Sequence, residues 1–526
     1  MQASAHRNVE QNWAAFKNAI QTTVEKNIPS RMTSCRYNLP WITPAIRRLC
    51  RKKQRYYKIA KRTKKEKHWQ RFKECKIETR NALRKAHNDY VNNILNEGLA
   101  KNDNKKFWKY IKARKQDSMG ISPLKHQGSL HTDNKTKAEL LSNQFKSVFT
   151  PQTVNESAQM EGTPYPNIPP LHITQPGVQK LMESLKTNKA SGPDNLPALI
   201  LKELAPQLSQ CLTEIFRQSL TSGKLPKDWK DAHIAPIFKK GNRHLAENYR
   251  PVSLTSICAK MMEHILCHHI RSHFDHHQIL NQCQHGFRAR HSCESQLITT
   301  MQDLLQNVEQ KRQVDLLVLD LAKAFDKVPH RQVLQKVEHY GIRGNILAWL
   351  SDFLMDRTQS VVVDGEFSAP VPVTSGVPQG TVLGPVLFLA HINDLPSCVK
   401  SPTRLFADDC ILYRPILSED DHTILQQDLD NLANWASRWG MKFNATKCET
   451  MRVGTIKSNR IYSLDNHPLR EVEHTKYLGV TISNDLSWSR HINNISAKGN
   501  SKLGFLWRNL SHCHSNIKKQ AYVSLV

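Results

Sequence analysis

Thr403-Arg-Leu-Phe-Ala-Asp-Asp-Cys-Ile-Leu-Tyr-Arg414 sets two short apolar runs on either side of an adjacent pair of acids. The pattern reads as a β-hairpin with Asp408 and Asp409 at its tip. Like charges side by side repel unless a cation holds them. A third acid lies upstream: in Val314-Asp-Leu-Leu-Val-Leu-Asp-Leu-Ala-Lys-Ala-Phe-Asp326 an apolar strand delivers Asp320 at its end. A buried strand rarely ends in a carboxylate that nothing neutralises. Hard divalent cations take oxygen ligands, and two such ions bridged by carboxylates from different strands are a common arrangement for in-line displacement at phosphorus. Each acid alone is an ordinary turn residue or helix cap. Between the two acid sites, Ser375-Gly-Val-Pro-Gln-Gly-Thr-Val-Leu-Gly-Pro385 is a Gly/Pro loop entering an apolar helix from Val386 to Leu395. Backbone can approach a ligand closely there, near Gly376 and Gly380.

Around this centre, helical patterns (Val178 to Leu185, Leu196 to Leu220) alternate with short apolar runs at Ala232 to Phe238, Ser360 to Val363 and Thr475 to Ile482. That alternation argues a mixed α and β fold. The chain of 526 residues is long for one domain, and 39 % hydrophobic against 23 % charged residues is ordinary for a globular protein. No apolar stretch is long enough to span a membrane, and the polar start, Met1 to Asn12, lacks the apolar core of a secretory signal. An intracellular location is expected. The twelve cysteines form no C-x-x-C pair and read as reduced thiols. Eleven His and Cys residues lie between His264 and Cys293, but at spacings that fit no regular zinc finger. On a helix those histidines would supplement a positive surface.

The net charge is +29, and residues 47–115 carry 25 Lys and Arg against 6 acids. Such a field attracts polyanions. Ile46, Leu49, Tyr56 and Ile59, then Trp69, Phe72, Leu83, Ala86, Tyr90 and Ile94, recur at helical spacing, so two amphipathic basic helices are expected. Lys52, Lys53, Arg55, Lys61 and Arg62 are the candidate phosphate contacts. The aromatics here and in Lys105–Lys112 suit either base stacking or local packing. Residues 152–175 turn Pro-rich and lose periodicity, which reads as a linker.

The segment from about Gly223 to Ser483 resembles the reverse transcriptase domain of non-LTR (LINE-type, jockey-like) retrotransposons. Asp320 with Ala324-Phe-Asp326, Ser375–Pro385, Phe406-Ala-Asp-Asp409, Trp439–Glu449 and Tyr477-Leu-Gly-Val-Thr-Ile482 resemble its successive palm and primer-grip motifs. Trp229–Gly241, Glu247–Leu254 and Gln284-His-Gly-Phe-Arg288 resemble its fingers. Asn38–Pro44 and Lys189-Ala-Ser-Gly-Pro-Asp194 resemble the connector and N-terminal extension. The resemblance implies an α+β right-hand polymerase of fingers, palm and partial thumb. Its parts would be a basic helical extension (1–150), a linker (151–175), a helical start of the fingers (176–222), fingers and palm (223–483), and an incomplete thumb (484–526). The family's endonuclease is expected to be missing, which puts autonomous transposition in doubt.

The resemblance also implies roles. Asp320 and Asp408, with the Leu321 carbonyl and Asp409, would hold two Mg²⁺, with Mn²⁺ as a substitute. Lys239 and Arg250 would contact the triphosphate of the incoming dNTP. Gln379 and Gly380 would line its pocket, and Phe325 would exclude a 2′-hydroxyl. Lys447 would protonate pyrophosphate, and Tyr477, Leu478 and Gly479 would meet nucleic acid. RNA template, DNA primer or target DNA and dNTPs are the expected partners, in the nucleus during integration or in the cytoplasm. Two other readings stand: an RNA-dependent RNA polymerase, against which Phe325 and Phe406-Ala-Asp-Asp409 argue, and a catalytically idle fragment that only binds nucleic acid.

Overall fold

The computed structural model describes residues 7–29, 39, 41–101, 120–150, 159–160, 162–455, 460–511 and 513–526, with backbone only for 94–101. The run Lys105–Lys112 and residues 151–158 of the Pro-rich stretch lie outside them. Two compact units divide the chain: Met1–Ile28 with Gly120–Trp488, and Pro29–Met119 with Ser489–Val526.

The strands of the first unit's two larger sheets and of one hairpin are β1 (Asp231–Phe238), β2 (Tyr249–Leu254), β3 (Gln313–Asp320), β4 (Arg357–Val363), β5 (Glu366–Phe367), β6 (Val371–Val373), β7 (Thr403–Phe406), β8 (Asp409–Ile416), β9 (Glu449–Val453), β10 (Arg470–Glu471), β11 (His474–Tyr477) and β12 (Val480–Ser483). One five-stranded sheet runs β10-β9-β3-β8-β7; the other runs β2-β1-β4-β5, with β6 paired to β4. The fold is mixed α and β, as its alternating pattern implied.

β3 is the central strand of the first sheet, and both of its faces are covered. Leu317 and Leu319 enter the large core, while Val314 and Leu316 pack with Tyr413, Met451 and Tyr477. Burial on both faces is why it reads as an unbroken apolar run. The helix Gly384–Ile392 is buried on every side, which accounts for a sequence that is apolar except for His391. The run 475–482 folds as the hairpin β11–β12, because Leu478 and Gly479 both take positive φ in a two-residue turn.

The helix Val9–Asn27 belongs to this unit rather than to the basic helices. Trp13, Phe16 and Ile20 form its apolar stripe and are buried in the large core. Trp13 Nε1 donates to Asp228 at 2.8 Å, and its ring meets Trp229 edge-on at 5.3 Å. Residues 162–174 have no regular secondary structure yet do not run free. Ile168 and Ile173 are buried, and the Tyr165 and Ile168 N–H groups donate to the carbonyls of His339 and Gly341 at 2.9 Å. The helix Ile257–His276 carries most of the histidine cluster, and not all of it faces water. His273 is buried with Nε2 at 2.8 Å from the Tyr340 carbonyl, and burial pushes its pKa down, so the ring is a neutral core group.

In the second unit the basic block forms helices Pro44–Thr63 and Glu66–Lys101. Thr43 caps the first, Pro44 sits at its first turn, and Lys64 ends it in a left-handed conformation. Their aromatics pack locally: Tyr57 against Trp69 and Phe72, and Trp41 against His87 and Tyr90. Val91 shares a small core with Leu506, Leu510, Ile517, Ala521 and Leu525 of the helices Ser489–Leu510 and Ser515–Leu525.

Candidate active site

The antiparallel register of β3 and β8 sets Asp320 directly opposite Asp409, and that of β7 and β8 sets Asp409 opposite Phe406. Ala407 and Asp408 are therefore the two-residue turn of the hairpin. Ala407 takes φ +53°, the kind of first turn position that matches the twist of paired strands. Three carboxylates thus gather at one end of these strands. Burial raises the Asp408 pKa, and Asp320 raises it further. Burial, then Asp408 and Asp320, push Asp409 up to about 6.

These raised values are the signature of negative charge that the protein leaves poorly compensated. The nearest cation to Asp320 is Lys447, whose Nζ lies 3.4 Å from Oδ2, and both groups are well exposed. Hard divalent cations fit this donor set, because all the ligands would be oxygens. The Leu321 carbonyl adds one more. Leu321 forms an isolated bridge with Phe443, but the bonds of that bridge run from Ala322 N–H to the Lys442 carbonyl and from Asn444 N–H to the Asp320 carbonyl. Among the described residues, no three His, Cys, Asp or Glu side chains close into a preformed metal cage, the aspartates included. An open set of this kind suits an ion that keeps oxygens of substrate or water in its shell.

The Gly/Pro loop abuts Phe325–Val328, the segment that follows β3. Gly376 N–H donates to the Val328 carbonyl and Val377 N–H to the Phe325 carbonyl, both at 2.8 Å. Gly376 has φ +90°, and a Cβ there would sit 2.7 Å from the Asp326 oxygen and 2.8 Å from the Phe325 oxygen. Gln379 Nε2 donates to Asp326 Oδ1 at 2.7 Å, and the Gln379 carbonyl accepts from Ser253 N–H at 2.8 Å. Gly380, with φ +104°, lies so close to the Ser253 carbonyl that a Cβ would approach it to 2.9 Å. Phe325 is half-buried, stacked on Phe388 with ring centroids 4.3 Å apart and edge-on to the exposed Phe287.

Lys239, just past the end of β1, and Arg250 on β2 face the same carboxylates: both lower the Asp408 pKa. Partial burial, then Arg250, Lys447 and Lys240, lower that of Lys239. So Asp320, Asp408, Asp409, Lys239, Arg250 and Lys447 form one electrostatic neighbourhood. Tyr477 is not presented to solvent. Its ring is buried in the smaller core and its hydroxyl accepts from Gln296 Nε2 at 3.2 Å, which leaves Leu478 and Gly479 at the hairpin tip. Two contributors were missed in the sequence. Asp326, half-buried and raised in pKa by burial, fixes the Gln379 amide. Glu263, fully buried, accepts from the Val382 and Leu383 N–H groups at 2.6 and 3.2 Å and so anchors the loop just before the helix Gly384–Ile392. Its only signal was an acid within a largely apolar helical run.

In the second unit, Lys52, Arg55, Lys61 and Arg62 are exposed and Lys53 is half-buried. Lys52 pairs with Glu78 at 3.8 Å. Arg55 and Arg62 share one face with Arg51 and Lys58, lining a shallow depression; the last two were not singled out in the sequence.

A hairpin that carries paired carboxylates opposite a strand-end carboxylate, with a Gly/Pro loop beside them, defines a class. Residues 237–482 match the family described as reverse transcriptase (RNA-dependent DNA polymerase), and this segment is a reverse transcriptase domain. The chain is 30 % identical over 426 residues to the RNA-directed DNA polymerase from mobile element jockey of Drosophila melanogaster, covering 76 % of this chain and 46 % of that protein. Its counterpart from Drosophila funebris is 28 % identical over 510 residues, covering 91 % and 55 %. The probable RNA-directed DNA polymerase from transposon BS of Drosophila melanogaster is 29 % identical over 414 residues, covering 73 % and 45 %. Over the aligned residues the chain is similar to the RNA-directed DNA polymerases of mobile elements. It spans about half the length of these curated relatives.

Proposed function

We propose that this chain is an RNA-directed DNA polymerase that extends a DNA 3′-end on an RNA template with dNTPs, the reaction of target-primed reverse transcription. The observation that carries the reading is the register-fixed meeting of Asp320 with Asp408 and Asp409, three carboxylates of which two have raised pKa values. Asp320, Asp408, Asp409 and the Leu321 carbonyl would hold two Mg²⁺ or Mn²⁺ ions. Bound there, the ions supply charge neutralisation for the triphosphate and a lowered pKa for the primer 3′-hydroxyl.

The chain's own groups do the rest. Arg250 offers a planar fork and Lys239 a point charge to the triphosphate. Gln379, held by Asp326, and the Gly380 backbone border the nucleotide pocket. The Phe325 ring, backed by Phe388, blocks a 2′-hydroxyl and selects dNTPs. Lys447 Nζ, beside Asp320, donates a proton to the leaving pyrophosphate. In this reading the β1–β2 region is the fingers, the sheet around β3 is the palm, and the helices Ser489–Leu510 and Ser515–Leu525 belong to the thumb. The basic helices, with Arg51, Arg55, Lys58 and Arg62 on one face, bind nucleic-acid phosphates, and the Leu478–Gly479 tip meets the primer. Polymerisation would accompany integration in the nucleus.

The test is primer extension with Mg²⁺ on an RNA template, supplied with dNTPs in one series and rNTPs in another. DNA synthesis from dNTPs supports the reading. Efficient rNTP incorporation would favour an RNA-dependent RNA polymerase, and nucleic-acid binding without synthesis would favour an idle fragment.

A further inference from the structure

We propose that Gln284 is a positioning residue for the carboxylate hairpin: its side-chain amide, with Gly286 beside it, holds the strained turn that carries Asp408. The inference rests on the reading of Asp408 as a metal-holding carboxylate.

β7 is the edge strand of its sheet, and Cys283–Gly286 runs along its open side. His285 N–H donates to the Leu405 carbonyl and Leu405 N–H to the Cys283 carbonyl, both at 2.9 Å. Gln284 is 3 % exposed and reaches the tip of the hairpin. Its Oε1 accepts from Ala407 N–H at 2.8 Å and from Gly286 N–H at 2.7 Å, and its Nε2 faces the Ala407 carbonyl at 3.4 Å. A primary amide can accept from a peptide N–H and donate to a C=O at once, as a strand neighbour would. Ala407 needs such a partner. It is buried and its φ of +53° is a conformation that L-residues other than glycine adopt only where the surroundings over-determine it.

Gly286 supplies the closeness. A Cβ at this position would lie 2.2 Å from Ala407 N and 2.9 Å from the Phe406 carbonyl carbon, both backbone atoms. Only a residue without a side chain lets the loop approach the turn so nearly. Asp408 follows Ala407 directly, so any rotation of the Ala407 peptide is transmitted to its carboxylate. Displacements of about 1 Å at a reacting group lower rates on the order of a hundredfold.

The test uses the full chain. Gln284→Met keeps the volume and removes every polar contact, while Gln284→Glu keeps the oxygen that accepts from both N–H groups. Hydrogen exchange followed by mass spectrometry on metal-free protein is expected to speed up at residues 405–409 in Gln284→Met, while β8 beyond Cys410 stays protected. Gln284→Glu is expected to retain most of the protection. In primer extension, Gln284→Met should lower kcat about ten- to a hundredfold and raise the Mn²⁺ half-saturation several-fold, with dNTP KM unchanged within about twofold. Unchanged exchange at the turn overturns the proposal, as does a loss of rate with the Mn²⁺ half-saturation at its wild-type value. Full activity in Asp408→Asn would defeat the metal reading, while the exchange result would still report on the clamp itself.

Discussion

Gly376→Ala loads the contact between the Gly/Pro loop and Phe325–Asp326, in the segment that follows β3. Gly376 has φ +90°, outside the range that alanine adopts without strain, which costs about 1–2 kcal/mol. The added Cβ would lie 2.7 and 2.8 Å from two carbonyl oxygens, those of Asp326 and Phe325. Neither oxygen is the end of a flexible side chain, so relief requires backbone movement, at roughly 1–3 kcal/mol. Together the two effects come to about 3 kcal/mol. Pushed outward, the loop loses its Val377 N–H bond to Phe325 and shifts the Gln379 amide from Asp326. A rise in dNTP KM of about ten- to a hundredfold is expected in steady-state single-nucleotide extension, because each 1.4 kcal/mol is about tenfold. The melting temperature should fall by no more than about 10 °C, since 1 kcal/mol shifts domains of 150–250 residues by about 2–4 °C and larger ones by less. Wild-type KM together with wild-type melting in Gly376→Ala would refute the argument that this close approach shapes the nucleotide pocket.

Phe325→Val should admit rNTPs, seen as a fall in the dNTP-to-rNTP ratio of kcat/KM; an unaltered ratio refutes the sugar gate. Replacing Arg51, Arg55, Lys58 and Arg62 by Gln should weaken RNA binding and make log K fall less steeply with log salt, by about one in slope for each phosphate that the protein no longer neutralises. An unchanged slope removes this face from the interface. His273 is neutral in the fold because burial depresses its pKa below the ordinary 6.5, with His277, His269 and His276 adding repulsion. Its contribution to stability is therefore complete above 6.5 and is lost as pH falls below that, when the unfolded ring takes up its proton first. His273→Gln, which keeps a donor for the Tyr340 carbonyl, should lose less thermal stability than wild type between about pH 7 and 5.5. Parallel losses in the two proteins would refute it.

The carboxylate hairpin was legible because its signal is local. A β7–β8 turn between two apolar runs, and a strand as apolar as β3, declare themselves within a dozen residues, and the order of the motifs supplied the rest. Partnerships across the chain were not legible. Nothing in Gln284-His-Gly286 points to Ala407, more than a hundred residues away. The roles of Asp326 and Glu263 show only once Gln379 and the loop before the helix Gly384–Ile392 are seen against them. The stripe Trp13, Phe16 and Ile20 was visible in principle, but the basic block drew the whole N-terminal region into one reading. In that block, cations and aromatics together suited either stacking on bases or local packing. The structure gives Trp69, Phe72 and Tyr90 local ring contacts and leaves the cations outward. Tyr477 followed the same rule, since a ring with Gln296 and an apolar cluster available is more stable inside.

Whether Asp408 and its neighbours carry polymerisation is decided by incorporation of a single dNTP onto a DNA primer on an RNA template with Mg²⁺, by wild type and by Asp408→Asn. The substitution is isosteric and neutral at a site where burial already disfavours charge, so folding should survive it, as circular dichroism and melting would confirm. The account predicts incorporation by wild type and its loss, by about a thousandfold or more, in a folded Asp408→Asn. Equal incorporation by the two proteins would contradict it.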